Sequence, residues 1–120
     1  MERVRFVPYL GKQLLLLDFS KLSASEVVAL VEQAKRFISA QPPNSLLTLT
    51  DVTGTLFNDE AANAFRDYVT HNKPYVRAAA VVGVTGLKKI ILNVIKTASR
   101  RDFELFDTIP AAQDWLAGRK

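Results

Sequence analysis

The chain has 120 residues, a net charge of +4, 48% hydrophobic and 23% charged residues, and no cysteine. That length supplies apolar side chains for one core and not for two, and the composition is that of a folded globular domain rather than a disordered or fibrous chain, so residues 1–120 read as a single domain. The missing thiols exclude disulfides and thiolate metal sites, no apolar run approaches the roughly 20 residues of a membrane-spanning helix, and the charged opening "MERVR" lacks a signal-peptide core, so a cytoplasmic location is expected.

In chain order, "RVRFVPY" alternates Val4 and Phe6 with Arg3 and Arg5, and after "LGK" the run "QLLLLDF" is almost wholly apolar. Together they predict a hairpin from an edge strand to a buried one, with Pro8 tolerated only near the edge. "SASE" places Ser23 three residues before Glu26, a capping box, and Val27, Leu30, Val31, Ala34, Phe37 and Ile38 follow at helical spacing until Pro42 and Pro43. "SLLTLTDV" is the next predicted strand; Asn58 or Asp59 then caps a helix that turns Ala61, Ala62, Phe65, Tyr68 and Val69 inward. "YVRAAAVVGV" predicts a strand and "GLKKIILNVIKTAS" a helix. "DFELFD" predicts a short last strand, and "TIPAAQDWLAG" a final helix with Pro110 in its first turn and Gly118 past its end. The order β-β-α-β-α-β-α-β-α implies an α/β domain with a mostly parallel sheet, whose ligands favour the rim where strands end and helices begin. Asp18, Asp51, Thr53, Thr55, Thr85, Gly86 and Asp107 fall on that rim.

The basicity is local. Lys88, Lys89, Lys96, Arg100 and Arg101 lie in a stretch without an acidic residue, while basic and acidic residues nearly cancel elsewhere. Lys89, Lys96 and Arg100, with Arg101 adjacent, form a stripe on the predicted third helix that serves either as a solvated face or as a surface for an acidic partner or anionic membrane. With few aromatics beside it and no recognised motif, specific nucleic-acid binding is not expected.

The stretches "RAAAVVGVTGLKKIILNVIK" and "FELFDTIPAAQDWL", with the leading hairpin and the alternation of elements, resemble the SpoIIAA-like, or STAS and SEC14-like, superfamily of small α/β domains. The resemblance implies a βα superhelix: a central five-stranded, mostly parallel sheet with one antiparallel edge strand and four helices. It further implies a non-enzymatic module, either a protein-binding switch regulated by phosphorylation or a carrier of a small apolar or lipid-like ligand. A homodimer is expected, and no cofactor. The phosphorylated members carry an Asp-Ser-Ser-Gly-type loop after the central strand; here the matching loop reads "DVTGTLFND", with Asp51, Thr53 and Gly54 echoing it, no serine, and a longer run to the helix. Thr53 or Thr55 is the implied phosphate acceptor.

"DVTGTLF" also resembles the phosphate-accepting aspartate of P-type ATPases and haloacid-dehalogenase-like phosphatases. A magnesium-dependent phosphotransferase at Asp51 would need a hydroxyl, a lysine and metal-holding carboxylates; Thr85 and Lys88 or Lys89 supply the first two. Thr53 stands where the phosphatases have a second carboxylate, and Val52 where the ATPases have lysine. "GVTGLKK" lacks the spacing of a phosphate-binding P-loop, and His71, the only histidine, sits at a predicted helix end. The candidate binding surface is therefore Asp51, Thr53, Thr55, Asn58, Thr85 and Lys88, with no catalytic or metal-ligating residue assigned and a protein partner expected.

Overall fold

The computed structural model describes residues 3–85, 89 and 103–119. Strands β1 (Val4–Tyr9) and β2 (Lys12–Asp18) form the expected hairpin, followed by α1 (Ala24–Ser39), β3 (Leu46–Asp51), α2 (Asp59–Asn72), β4 (Val76–Val82), β5 (Glu104–Phe106) and α3 (Ile109–Ala117). The five strands make one sheet in the order β1-β2-β3-β4-β5. β1 pairs antiparallel with β2, and every later pair is parallel. Three helices rather than the expected four are present among the described residues: the helix predicted over residues 86–99 lies outside them, except that Lys89 is helical.

The sheet separates two apolar layers because side chains alternate along each strand. Leu15, Leu17, Ala79 and Val81 join Val27, Leu30, Val31, Ala34 and Ile38 of α1 and Ala61, Phe65, Tyr68 and Val69 of α2 in the larger cluster. Phe19 packs edge-on against Phe65 and Tyr68, with ring centroids 5.6 Å apart in both pairs, the offset arrangement that aromatic quadrupoles favour. Leu14, Leu47, Leu49, Ala80 and Val82 point to the opposite face, where Ala112 and Leu116 of α3 cover them. Helix α3 runs back across that second face and touches β2, β3, β4 and β5. Every residue of β3 from Leu46 to Thr50 is buried, so the Leu-Thr alternation of this strand marks burial on both faces rather than one wet face.

Local sequence fixes where the helices begin. Ser23 and Glu26 form the capping box that heads α1, Asn58 Oδ1 accepts from the Ala61 amide at 2.8 Å, and the Thr108 hydroxyl accepts from the Ala111 amide. Each satisfies an amide that the first helical turn leaves unpaired. Lys35 of α1 ties the two helices together by donating to Asp67 of α2 at 2.6 Å and reaching Glu32 at 3.4 Å. The hydrogen bond to Asp67 raises the lysine pKa above 10.5.

Candidate functional site

The carboxyl ends of β2, β3 and β4 form the rim, and their tails continue the sheet ladder into it. Phe19 N–H donates to Asp51 O and Val52 N–H to Val82 O, both at 2.9 Å; Lys21 N–H donates to Thr53 O and Leu56 N–H to Leu22 O, also at 2.9 Å. Loops pinned this way hold their side chains as firmly as strands do.

The same turn is built twice on this rim. Asp18 and Asp51 are direct register partners. Asp51 Oδ1 accepts from the Thr53 amide at 2.9 Å and from its hydroxyl at 2.6 Å. Asp18 Oδ1 likewise accepts from the Ser20 amide at 3.0 Å and from the Ser20 hydroxyl. Aspartate favours this geometry because its short carboxylate folds over the backbone two residues on. The signal, "LLDFS" against "LTDVT", is present in the sequence, but only the pairing of β2 with β3 makes the two turns neighbours.

The turns differ in their surroundings. Arg3 Nη1 donates to Asp18 O at 3.0 Å and Ser20 O at 2.9 Å and stands 3.6 Å from the Asp18 carboxylate. Asp51 has no such cation among the described residues. Its turn instead sits on Gly83, whose φ is +88°: a Cβ built there would lie 2.2 Å from Thr53 Oγ1 and 2.6 Å from Thr53 N. Only glycine accepts both that φ and that approach. Gly83 is thus the element that presses β4 against the Thr53 turn.

The structure brings some of the expected residues together and separates others. Thr53 is exposed, with Gly54 and Leu56 beside it, and Leu56 is 66% exposed. Thr85 is exposed two residues beyond Gly83. Thr55 leaves the candidate surface: it is buried and its hydroxyl donates to Phe19 O at 2.6 Å, because this loop needs an internal donor for a carbonyl at the tail of β2. Asn58 remains at the surface, its side chain committed to capping α2. Lys88, and Lys96, Arg100 and Arg101 of the basic stripe, lie outside the described residues; Lys89 is exposed. Among the described residues no three carboxylate or histidine side chains gather as a metal site would require, and no helix is long and apolar enough to cross a membrane.

Between α2 and the sheet, Thr48, Thr50, Phe65, Tyr68, Ala79 and Phe103 line a cavity of about 20 Å³, room for a water but not for a lipid chain. Away from the rim, His71 stacks on Tyr75 and pairs with Asn72, and Trp115 packs on Phe106 with Arg119 lying over its ring at 4.8 Å.

A sheet in sequential order whose first strand alone runs antiparallel, helices on both faces and a rim of β-to-α loops define a small α/β domain of SpoIIAA-like fold. No family model matches the chain, and no curated protein matches its sequence. Among solved structures, the chain is similar to an uncharacterized protein from the DUF3478 family with a SpoIIAA-like fold from Shewanella loihica PV-4: the TM-score is 0.70 at 16% identity, over 94% of this chain and 91% of that one. At that identity the likeness concerns the fold.

Proposed function

We propose that the chain is a non-enzymatic, STAS-like regulatory module that binds a protein partner through the rim around Thr53, with phosphorylation of the Thr53 hydroxyl as its switch. The observation that carries this reading is the Asp51–Thr53 turn: an exposed threonine, pinned by one carboxylate oxygen, on a loop that Gly83 and the tail of β2 hold in place. A phosphoryl group on Thr53 would add about two negative charges next to Asp51 and remove the hydroxyl proton that Asp51 accepts. The turn would open, and Leu56, three residues on, would move with it. Leu56 is the apolar side chain of this loop that a partner could bury.

Binding is favoured over phosphotransfer because Asp51 Oδ1 is committed to the Thr53 turn, accepting from both its amide and its hydroxyl. A nucleophilic carboxylate also needs further acids to seat magnesium. Incubation with acetyl phosphate and magnesium, followed by intact-mass measurement, is expected to leave the chain unmodified, and p-nitrophenyl phosphate to remain unhydrolysed. A hydroxylamine- and alkali-labile phosphate adduct that vanishes in Asp51→Asn would replace the binding role with an aspartyl phosphotransferase. The carrier alternative predicts lipid retained in native mass spectra, whereas the binding module predicts the mass of the bare chain.

A further inference from the structure

The edge opposite the rim, where β2, β3 and β4 begin and the helices end, has its own character. The two-residue hairpin turn Leu10-Gly11 projects from it, since Tyr9 pairs with Lys12. Leu10 has φ +49° and is 74% exposed. Both central residues of such a turn take positive φ, so asparagine followed by glycine is favoured, and a bulky apolar side chain is disfavoured by its backbone and its hydration alike. Nothing in the packing asks for leucine there. An outlier of this kind points to a use outside the fold.

Cations surround the tip. Lys12 begins β2, and its ammonium reaches the Arg119 carbonyl past the end of α3, placing the hairpin tip beside that helix terminus. Arg119 and Arg77 line one pocket of about 320 Å³ with Ala78, Phe103, Glu104 and Trp115, and neither guanidinium has a carboxylate partner among the described residues. Arg36 in the last turn of α1 and Lys73 at the cap of α2 are exposed on the same edge. Among the described residues two acids lie on this side, Glu104 in the pocket and Asp114, which accepts from the Tyr9 hydroxyl. By contrast Asp18, Glu26, Asp51, Asp59, Glu60 and Asp107 gather towards the rim. Among the described residues acids outnumber bases at the rim, where Arg3 and Lys21 also stand, and bases outnumber acids at the hairpin edge.

We propose that this basic edge docks on an anionic lipid bilayer, with Leu10 entering the acyl boundary and Lys12, Arg77 and Arg119 meeting lipid phosphates. One projecting apolar tip within a spread of cations suits a fluid, negatively charged surface. A protein interface wants a contiguous apolar centre instead, and nucleic acid wants a groove or stacking platform. Docked this way, the domain turns its rim, and Thr53, away from the membrane and towards a partner.

The test is co-sedimentation of the full chain with vesicles of phosphatidylcholine alone and of phosphatidylcholine mixed with phosphatidylglycerol. Binding is expected to the mixed vesicles only, and to weaken as salt rises. Leu10→Asn suits the turn, so its melting temperature is expected to hold or rise while vesicle affinity falls about five- to ten-fold. Arg77→Gln with Arg119→Gln is expected to lower affinity about thirty-fold, from the loss of two cations near the surface. No binding to the mixed vesicles at low salt, or equal binding to both kinds, overturns the proposal. So does full affinity in Leu10→Asn together with displacement by heparin or duplex DNA, which would make the edge a surface for soluble polyanions.

Discussion

The turn at Asp18 and the turn at Asp51 share their chemistry: an aspartate at the end of a strand, a hydroxyl residue two positions on, and one carboxylate oxygen accepting from both its amide and its hydroxyl. They stand side by side in register. Arg3 closes the first by bonding the carbonyls on either side of it, whereas the second faces solvent at Thr53 and rests on a glycine. The lesson is that a motif of this kind acquires a role from its neighbours. Asp18 and Ser20 are held as structure; Asp51 and Thr53 are held and also presented.

The largest effect that would break the comparison is at Gly83. Gly83→Ala forces a Cβ into Thr53 Oγ1 at a positive φ, and it should cost about 3 kcal/mol or more in urea unfolding. Gly11, with φ +79° and nothing within 4 Å of a built Cβ, gives the control: Gly11→Ala should cost only about 1 kcal/mol. Next come the two threonines of the loop. Thr55→Val leaves the Phe19 carbonyl without its buried donor and should cost about 2 kcal/mol, whereas Thr53→Val removes an exposed bond and should cost under about 1 kcal/mol. If the two costs come out equal, the separation of a structural Thr55 from a presented Thr53 is wrong.

Arg3→Ala should destabilise by about 1–2 kcal/mol, since it deletes two charge-assisted bonds of a partly exposed side chain. It should also quicken hydrogen exchange around Ser20 while sparing Thr53. The smallest effect is a pH dependence at the head of α1. Bonds from the Ser23 backbone and hydroxyl lower the Glu26 pKa below 4.5 in the folded chain. That stabilisation is fully present above 4.5, the unfolded value, and is lost as pH falls through the lower folded value. Glu26→Gln should flatten this part of an acid-unfolding profile, and Ser23→Ala, which keeps the backbone bond, should only lessen it.

Much of this architecture was legible in the chain because local rules and tertiary demands agree. The hairpin, the capping box at Ser23, a cap at Asn58 or Asp59, which the structure resolves to Asn58, and the inward face of α1 all follow from turn chemistry and periodicity. The rim was legible only in part. Thr53 and Thr55 flank one glycine and look equivalent in a string; contact with the Phe19 carbonyl, from a different strand, separates them. Gly83 looked like any turn glycine because its constraint comes from Thr53, which is thirty positions away in the chain. Leu10 drew no notice, since one exposed leucine in a sequence looks like any other until its φ and surroundings are known.

A photo-crosslinking amino acid placed at Leu56 of the full chain, activated in cells, tests the central claim about the rim most directly. The account predicts a discrete protein adduct that disappears when Thr53→Glu is added, while a crosslinker at exposed Arg66 on α2 gives none. An adduct that is indifferent to Thr53→Glu, or no adduct at Leu56 when Arg66 yields one, would contradict it.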